Sequence, residues 1–564
     1  MRSLEGPFRA IRNRWRQSGA ACAALLLGIA GTADAQQGKS QDNKHSGDRT
    51  PVVHTQYGPV RGFVSEGVSI YLGIPFAAPP VGDLRWRPPV RPASWHKPRD
   101  ATAYGNTCVQ TNTLGVFAAP SNHEDCLYLN VFAPGSRKSG HPHPGRPVMV
   151  WIYGGGLRAG ESNDYDGSKL ARQGDVVVVT INYRLNILGF LAHPALDSEG
   201  HAAVNYGFMD QQFALRWVQQ NIAAFGGDPG NVTIFGESGG GGSVLYNLVS
   251  PTAKGLFQRA IIESGAYAIT PANALPTLPQ AEPMGRQFAE AVGCPDQTAA
   301  CLRALPIEQI IEKGGAYTGA RGMPVIDGTV LTGQLMDALA SGQFNRVPVV
   351  NGSNHDEWTW IVGITELATG HPMTPAEYPV NISAQFGPLA DQVIAHYPLS
   401  DYPSPSLAFA AAVTDEFFAC TARRVDRLLR QQVATYGFEF ADENAPFYFP
   451  AASFPFGAAH TLEMQYLFPL FHGGQGVPKP LNPAQEQLSD DMVSYWTRFA
   501  ATGNPNSDGT PAWPRFTANQ EQIQSLRPPA SAPISAEAFG EDHKCKFWDS
   551  VEGDQHVAFK SPQK

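Results

Sequence analysis

This chain of 564 residues is short of charge: 16% of it is Asp, Glu, Lys or Arg, and the formal net charge is −9. With 43% hydrophobic residues it is too apolar and too weakly charged to stay unfolded. It lacks the basic excess that marks a nucleic-acid-binding face, which argues against nucleic acid as a partner. Beyond the N-terminal region no uncharged apolar run reaches the roughly 18 residues that a membrane span needs. Neither C-x-x-C nor H-E-x-x-H spacing occurs, so no metal site is expected. Fixed-period repeats and long linkers are missing as well, which leaves one large domain over residues 36–564. What the chain does have is 57 glycines and 47 prolines without a collagen period, and therefore many turns and long ordered loops.

Residues 1–35 read as a leader rather than as fold. Arg2, Arg9, Arg12, Arg14 and Arg16 precede an apolar stretch from Ala20 to Ala30, and Ala33-Asp34-Ala35 follows. A basic segment, a short apolar segment and an A-x-A site make a signal peptide, cleaved near Ala35. Its removal takes the net charge to about −12. The expected location is secreted or periplasmic. Of seven cysteines, Cys22 leaves with the leader, and Cys108, Cys126, Cys294, Cys301, Cys420 and Cys545 remain. An even number in an exported chain predicts three disulfides rather than six buried thiols. Pairing the first four with their nearest neighbours is the simplest of the possible connectivities and leaves Cys420 with Cys545. Sequence alone leaves that choice open. A bridge over this last long loop would contribute roughly 4–5 kcal/mol in the chain-entropy view.

The body of the chain alternates strands and helices. Val148 to Tyr153 is a short apolar run ending at glycines, and Asp175 to Asn182 is β-branched on both faces. Such runs suit strands covered on both sides of a parallel sheet. Residues 207–224 carry Phe208, Phe213, Leu215, Trp217 and Val218 at helical, one-sided spacing. Asn231 to Phe235, Arg259 to Glu263 and Val347 to Gly352 read as further strands, and Val244 to Val249 as a helix. The alternation predicts a doubly wound α/β sheet.

Gly236-Glu237-Ser238-Gly239-Gly240 matches G-x-S-x-G. Alone the pattern is weak, and the competing reading is a glycine-rich turn with an N-cap serine. Its setting strengthens it, because it follows an apolar strand and opens a helical segment, as a nucleophile elbow does. Glycines suit the sharp turn that lifts the Ser238 hydroxyl above the sheet, and a helix N-terminus there favours developing negative charge. Tyr153-Gly154-Gly155-Gly156-Leu157 follows an earlier strand. Backbone amides approach a reacting carbonyl only where side chains do not intrude, so Gly155, Gly156 and Gly239 are the candidate oxyanion donors.

These segments resemble the type B carboxylesterases, the cholinesterase-like branch of the α/β-hydrolases. The likeness runs from about Pro59 to Trp548. It includes Tyr71 to Ala77 with Pro79-Pro80, Glu124 to Asn130, Asn182-Tyr183-Arg184, Ala224 to Pro229, and Phe235 to Gly240. It implies an α/β-hydrolase fold, with a central mostly parallel sheet flanked by helices and long active-site loops. It also implies disulfides Cys108–Cys126, Cys294–Cys301 and Cys420–Cys545. Seven histidines follow Ser238, so composition cannot pick a base. The resemblance puts the acid at Glu357, with Asp356 as competitor, and the base at His460. His355 is left as a structural or loop residue. The implied activity is carboxylic-ester hydrolysis on a small-molecule ester, with no metal or organic cofactor. An amidase or carbamate hydrolase with the same residues, or a non-catalytic binding relative, are the alternatives. Oligomeric state is left open.

Three departures from the family bear on substrate. The segment between Cys108 and Cys126 has 17 residues and no Trp, where cholinesterases carry a choline-binding tryptophan. Leu157-Arg158 replaces the usual aromatic pair, so Arg158 is expected to face the gorge. Thr318 to Met323, which includes Arg321, lacks bulky acyl-pocket aromatics, so a roomy acyl pocket is expected. Arg158 and Arg321 together point to an anionic acyl group, such as a polycarboxylic ester. The plainer expectation is Arg158 paired to Glu161 or Asp164 and Arg321 solvated.

Overall fold

Continuous β-branched runs need cover on both faces, and the computed structural model places them in the middle of a sheet. It describes residues 52–111, 118–135, 145–318, 324–473 and 478–551. The expected leader and Arg321 lie outside these residues. Eleven strands make the main sheet: β1 (Phe63–Ser65), β2 (Val68–Pro75), β3 (Tyr128–Pro134), β4 (Arg146–Ile152), β5 (Val177–Ile181), β6 (Gly227–Glu237), β7 (Arg259–Glu263), β8 (Val349–Asn354), β9 (Thr435–Phe440), β10 (Gln522–Leu526) and β11 (Ala532–Ser535). Their spatial order is 11-10-9-8-7-6-4-5-3-2-1. Strands from β5 across to β10 run parallel, and those at both edges run antiparallel. A small three-stranded sheet near residue 60 sits beside it.

The helix expected at 207–224 is α1, Tyr206–Asn221. It ends where a 3₁₀ turn at Ile222–Phe225 is closed by Gly226 at φ 85°, a backbone value that favours glycine. Helix α2, Gly239–Val249, begins at the first glycine after Ser238, earlier than its apolar residues suggest. Packing explains this. A Cβ on Gly240 would lie 1.9 Å from the Ile152 carbonyl oxygen, so the helix can start against β4 only without side chains. Strand β6 also extends back through Asp228-Pro229, ahead of the Asn231–Phe235 run read as its strand.

Register aligns the ends of the central strands. Ile152 pairs with Gly236, Glu237 with Glu263, and Glu263 with Gly352. Ligand sites of open parallel sheets form at such carboxyl ends. Trp151, Trp217, Trp496 and Trp513 fill the core around them. Three disulfides close: Cys108–Cys126, Cys294–Cys301 and Cys420–Cys545. The last ties helix α3 (Cys420–Leu429) to the segment after helix α4 (Ala536–Asp542). No helix among the described residues is long and apolar enough to cross a membrane.

Candidate active site

Ser238 is the hinge between β6 and α2, with φ 54° and ψ −120°. A non-glycine residue in that region is strained, and the surroundings must hold it. They do so through the main chain: Ser238 N–H donates to the Glu263 carbonyl at 2.9 Å, and the Ser238 carbonyl accepts from Gly242 N–H at 2.8 Å.

Two loops bring partners to this serine. The loop after β8 carries Glu357, and the segment 458–463 carries His460. His460 Nε2 lies 2.8 Å from Ser238 Oγ, and His460 Nδ1 lies 2.5 Å from Glu357 Oε2. The other Glu357 oxygen accepts from Asn354 N–H at 2.8 Å. Glu357 and His460 are buried, and the rings of Trp360 and Phe418 flank the imidazole at 5.6 and 5.3 Å. A carboxylate on one nitrogen and a hydroxyl on the other is an arrangement that can take a proton from the hydroxyl.

Buried carboxyls beneath the site had been given no role by sequence reasoning. Glu237 Oε1 lies 3.1 Å from His460 Nε2. Burial, then the charges of Glu357 and Glu263, push the Glu237 pKa well up. Glu463 is pushed well up by burial and by Glu237 and Glu357. Burial lifts Glu263 to about 8, although it accepts from Trp496 Nε1–H at 3.1 Å. The available signal was an acidic residue at the end of a strand buried on both faces.

The glycine loop abuts the serine turn. Gly155 and Gly156 have φ 95° and 62°, and the Gly155 carbonyl accepts from Arg158 and Ala159 N–H. Gly239 is the first residue of α2, where amides have no partner within the helix. A Cβ on Gly239 would lie 2.8 Å from Gly156 N, so the two backbones touch. Tyr153 and Tyr183 stack at 4.5 Å and exchange hydroxyl-to-carbonyl bonds, fixing the end of β4 below the loop.

Arg158 is half-buried and shares a recess with Val109, Gln110, Asn186, Leu188, Ile310 and Ile311. Its Nε lies 3.9 Å from where a Gly156 Cβ would stand. Glu161 holds Thr107 and Asn163, while Asp164 faces His472 at 3.6 Å. Burial, then Glu161, lifts Asp164 to about 8. Aromatic rings missing before Pro324 reach the His460 side from elsewhere. Tyr267 stacks on Phe417 at 5.1 Å, and Phe418 packs against both Tyr267 and His460. His355, Asp542 and His543 come within metal-ligand spacing of one another. Both nitrogens of His543 already face carboxylates at 2.7 Å, which suits ion pairs rather than a metal.

The Carboxylesterase family model matches residues 49–548. The chain belongs to the carboxylesterase family, and its fold is that of an α/β-hydrolase. It is a carboxylic-ester hydrolase, as its relatives across nearly the whole chain are. Cocaine esterase of Homo sapiens is 34% identical over 578 residues, covering 96% of each chain. Para-nitrobenzyl esterase of Bacillus subtilis (strain 168) is 35% identical, covering 82% of this chain and 92% of its own. Fumonisin B1 esterase of Sphingopyxis macrogoltabida is 36% identical, covering 82% and 84%. Among solved structures, a thermophilic PNB esterase superposes with a TM-score of 0.72 at 31% identity, over 88% of this chain and 99% of that one.

Proposed function

We propose that the enzyme hydrolyses esters through an acyl-enzyme on Ser238. The observation that carries this reading is the unbroken line from Ser238 Oγ through His460 to Glu357. His460 Nε2 takes the hydroxyl proton as Oγ attacks the ester carbonyl. The oxyanion that forms is met by the amides of Gly155, Gly156 and Gly239. Imidazolium then gives its proton to the departing alcohol, and Glu357 orients and stabilises the charged ring. Water, deprotonated by His460, attacks the acyl-enzyme and releases the acid and Ser238. The chemistry uses only side chains and amides of this chain.

Ser238→Ala tests the reading. It should lower kcat by about 10⁴-fold or more without loss of folded protein, and a fluorophosphonate should label the wild type at Ser238 alone. A variant keeping more than about a tenth of the activity would sink it. A chromogenic ester compared with its amide analogue separates esterase from amidase.

The finer reading is that the acyl group carries a carboxylate, perceived by Arg158. Its support is a half-buried guanidinium beside Gly156, in a recess lined by Val109, Leu188, Ile310 and Ile311 together with Gln110, Thr111 and Asn186. A planar fork there matches a carboxylate and is worth roughly 1.5–3 kcal/mol, ten- to a hundredfold in specificity. Arg158→Ala should depress kcat/KM for a carboxylate-bearing ester and spare a neutral one of equal size. An equal fall for both, or for neither, leaves a general carboxylesterase. Export is part of the same proposal, supported by the three disulfides; a mature N-terminus near Gln36 is the expected result of N-terminal sequencing.

A further inference from the structure

Behind the acid loop lies a cluster of histidines and carboxylates that the reaction above does not use. Asp356, one residue before Glu357, stitches that loop to the one bearing His460. Its N–H donates to the Ala458 carbonyl at 3.0 Å, and its Oδ2 accepts from Ala458 N–H at 2.9 Å. Its carbonyl accepts from Thr359 N–H at 3.1 Å. Gly457, at φ 62°, runs so close that a Cβ there would lie 2.3 Å from Asp356 Oδ2. Just beyond this seam, the Glu357 carbonyl accepts from His460 N–H at 3.3 Å.

The other side of Asp356 is clamped. His355 Nδ1 sits 3.2 Å from Asp356 Oδ1, a charge contact off the line of an N–H bond, and His355 Nε2 sits 3.2 Å from Asp542 Oδ2 at the end of α4. The neighbouring His543 ring is 5.1 Å from His355. His543 is buried between Asp415 and Glu439, and Asp415 also accepts from the Tyr397 hydroxyl at 2.7 Å. The Cys420–Cys545 disulfide anchors the same segment. The clamp therefore ends on fixed points.

We propose that Asp356, held by His355 and Asp542, is a positioning residue that keeps the Glu357 loop in register with the His460 loop. The inference rests on the proposed roles of Ser238, His460 and Glu357. Groups facing the clamp are Asp356 on its own loop, Asp542 and His543 from the C-terminal segment, and Glu439 from β9. Burial opposes charge on His355, but Asp356 and Asp542 overcome it and hold its pKa at about 12. Small displacements of a general base cost far more in rate than in binding, because only the transition state needs the full alignment.

The test compares Asp356→Ala, His355→Gln and Asp542→Asn with wild type. Asp542 is the most exposed of the three, with its side chain 65% accessible, so its variant keeps the fold. Expected results are a loss in kcat of about ten- to a hundredfold for Asp356→Ala and about two- to fivefold for the other two, with KM unchanged. Fluorophosphonate should titrate every variant to full occupancy, at a rate reduced in step with kcat. His355→Gln should cost nothing further on an Asp356→Ala background. Unchanged kcat in Asp356→Ala and Asp542→Asn, or a loss explained wholly by fewer titratable sites, overturns the proposal. If Ser238→Ala is inactive in the same series, only the positioning role has failed; if Ser238→Ala is active, the reading of the site has failed first.

Discussion

The two sides of the proposed array are held in place by opposite means. Ser238 is set by main-chain hydrogen bonds, and Gly155 and Gly239 by backbone pressed on backbone, where an added Cβ would lie 2.1 and 2.8 Å from main-chain atoms. Glu357 and His460 are set by side chains: a carboxylate on a backbone amide, rings against the imidazole, and a charged clamp behind. The serine side should therefore ignore pH and fail on added volume. The base side should tolerate volume at its periphery and fail on lost charge or altered pH.

Four measurements break or sharpen this contrast. Glu357→Gln keeps size and removes charge; kcat should fall about 10³–10⁴-fold with little change in melting temperature. A larger loss in Asp356→Asn would exchange the roles assigned to the two acids. On the other side, Gly240→Ala drives a Cβ onto the Ile152 carbonyl and should destabilise the fold by about 3 kcal/mol or more. A melting temperature within a few degrees of wild type would show that the backbone contact can relax.

The third measurement is stability against pH. Burial opposes charge on His543, but Asp415 and Glu439 raise its pKa from 6.5 to about 9. A raised imidazole pKa stabilises the fold fully below pH 6.5, and the contribution fades as pH climbs through about 9, by up to about 3 kcal/mol. Urea midpoints should fall across that window in wild type and stay flatter in His543→Gln; parallel curves would contradict the assignment. The smallest effect is expected from Gly239→Ala. Its Cβ meets Gly156 N at 2.8 Å, but Gly156 lies in a loop rather than a strand, so kcat should change about two- to tenfold. Loss of folding there would show the loop to be as rigid as the sheet.

Legibility followed the same division. Strand β7 was read residue for residue at Arg259–Glu263, and the serine elbow was visible because strand, glycines and helix are neighbours in sequence. Glu357 and His460 lie far from Ser238 along the chain, and only the family resemblance singled them out. The clamp was invisible: His355 and Asp542 are 187 residues apart, and no local pattern joins them. Glu237 was read only as part of a motif, because sequence does not reveal that a strand end is sealed from water. The lack of aromatics in the segment before Pro324 said nothing of other segments, and Tyr267, Phe417 and Phe418 meet beside His460 from distant parts of the chain.

The buried carboxyls also alter how the protein behaves in an electric field. Burial pushes the carboxyls of Glu237, Glu263 and Glu463 toward their protonated forms, while neighbouring carboxylates favour the charged forms of His355 and His543. Each of these shifts makes the folded protein less negative than its formal charge. Native protein should therefore focus at a higher pH than its unfolded chain, whose sequence-based isoelectric point is near 5.9. An anionic ester diffusing toward Arg158 meets correspondingly weaker long-range repulsion.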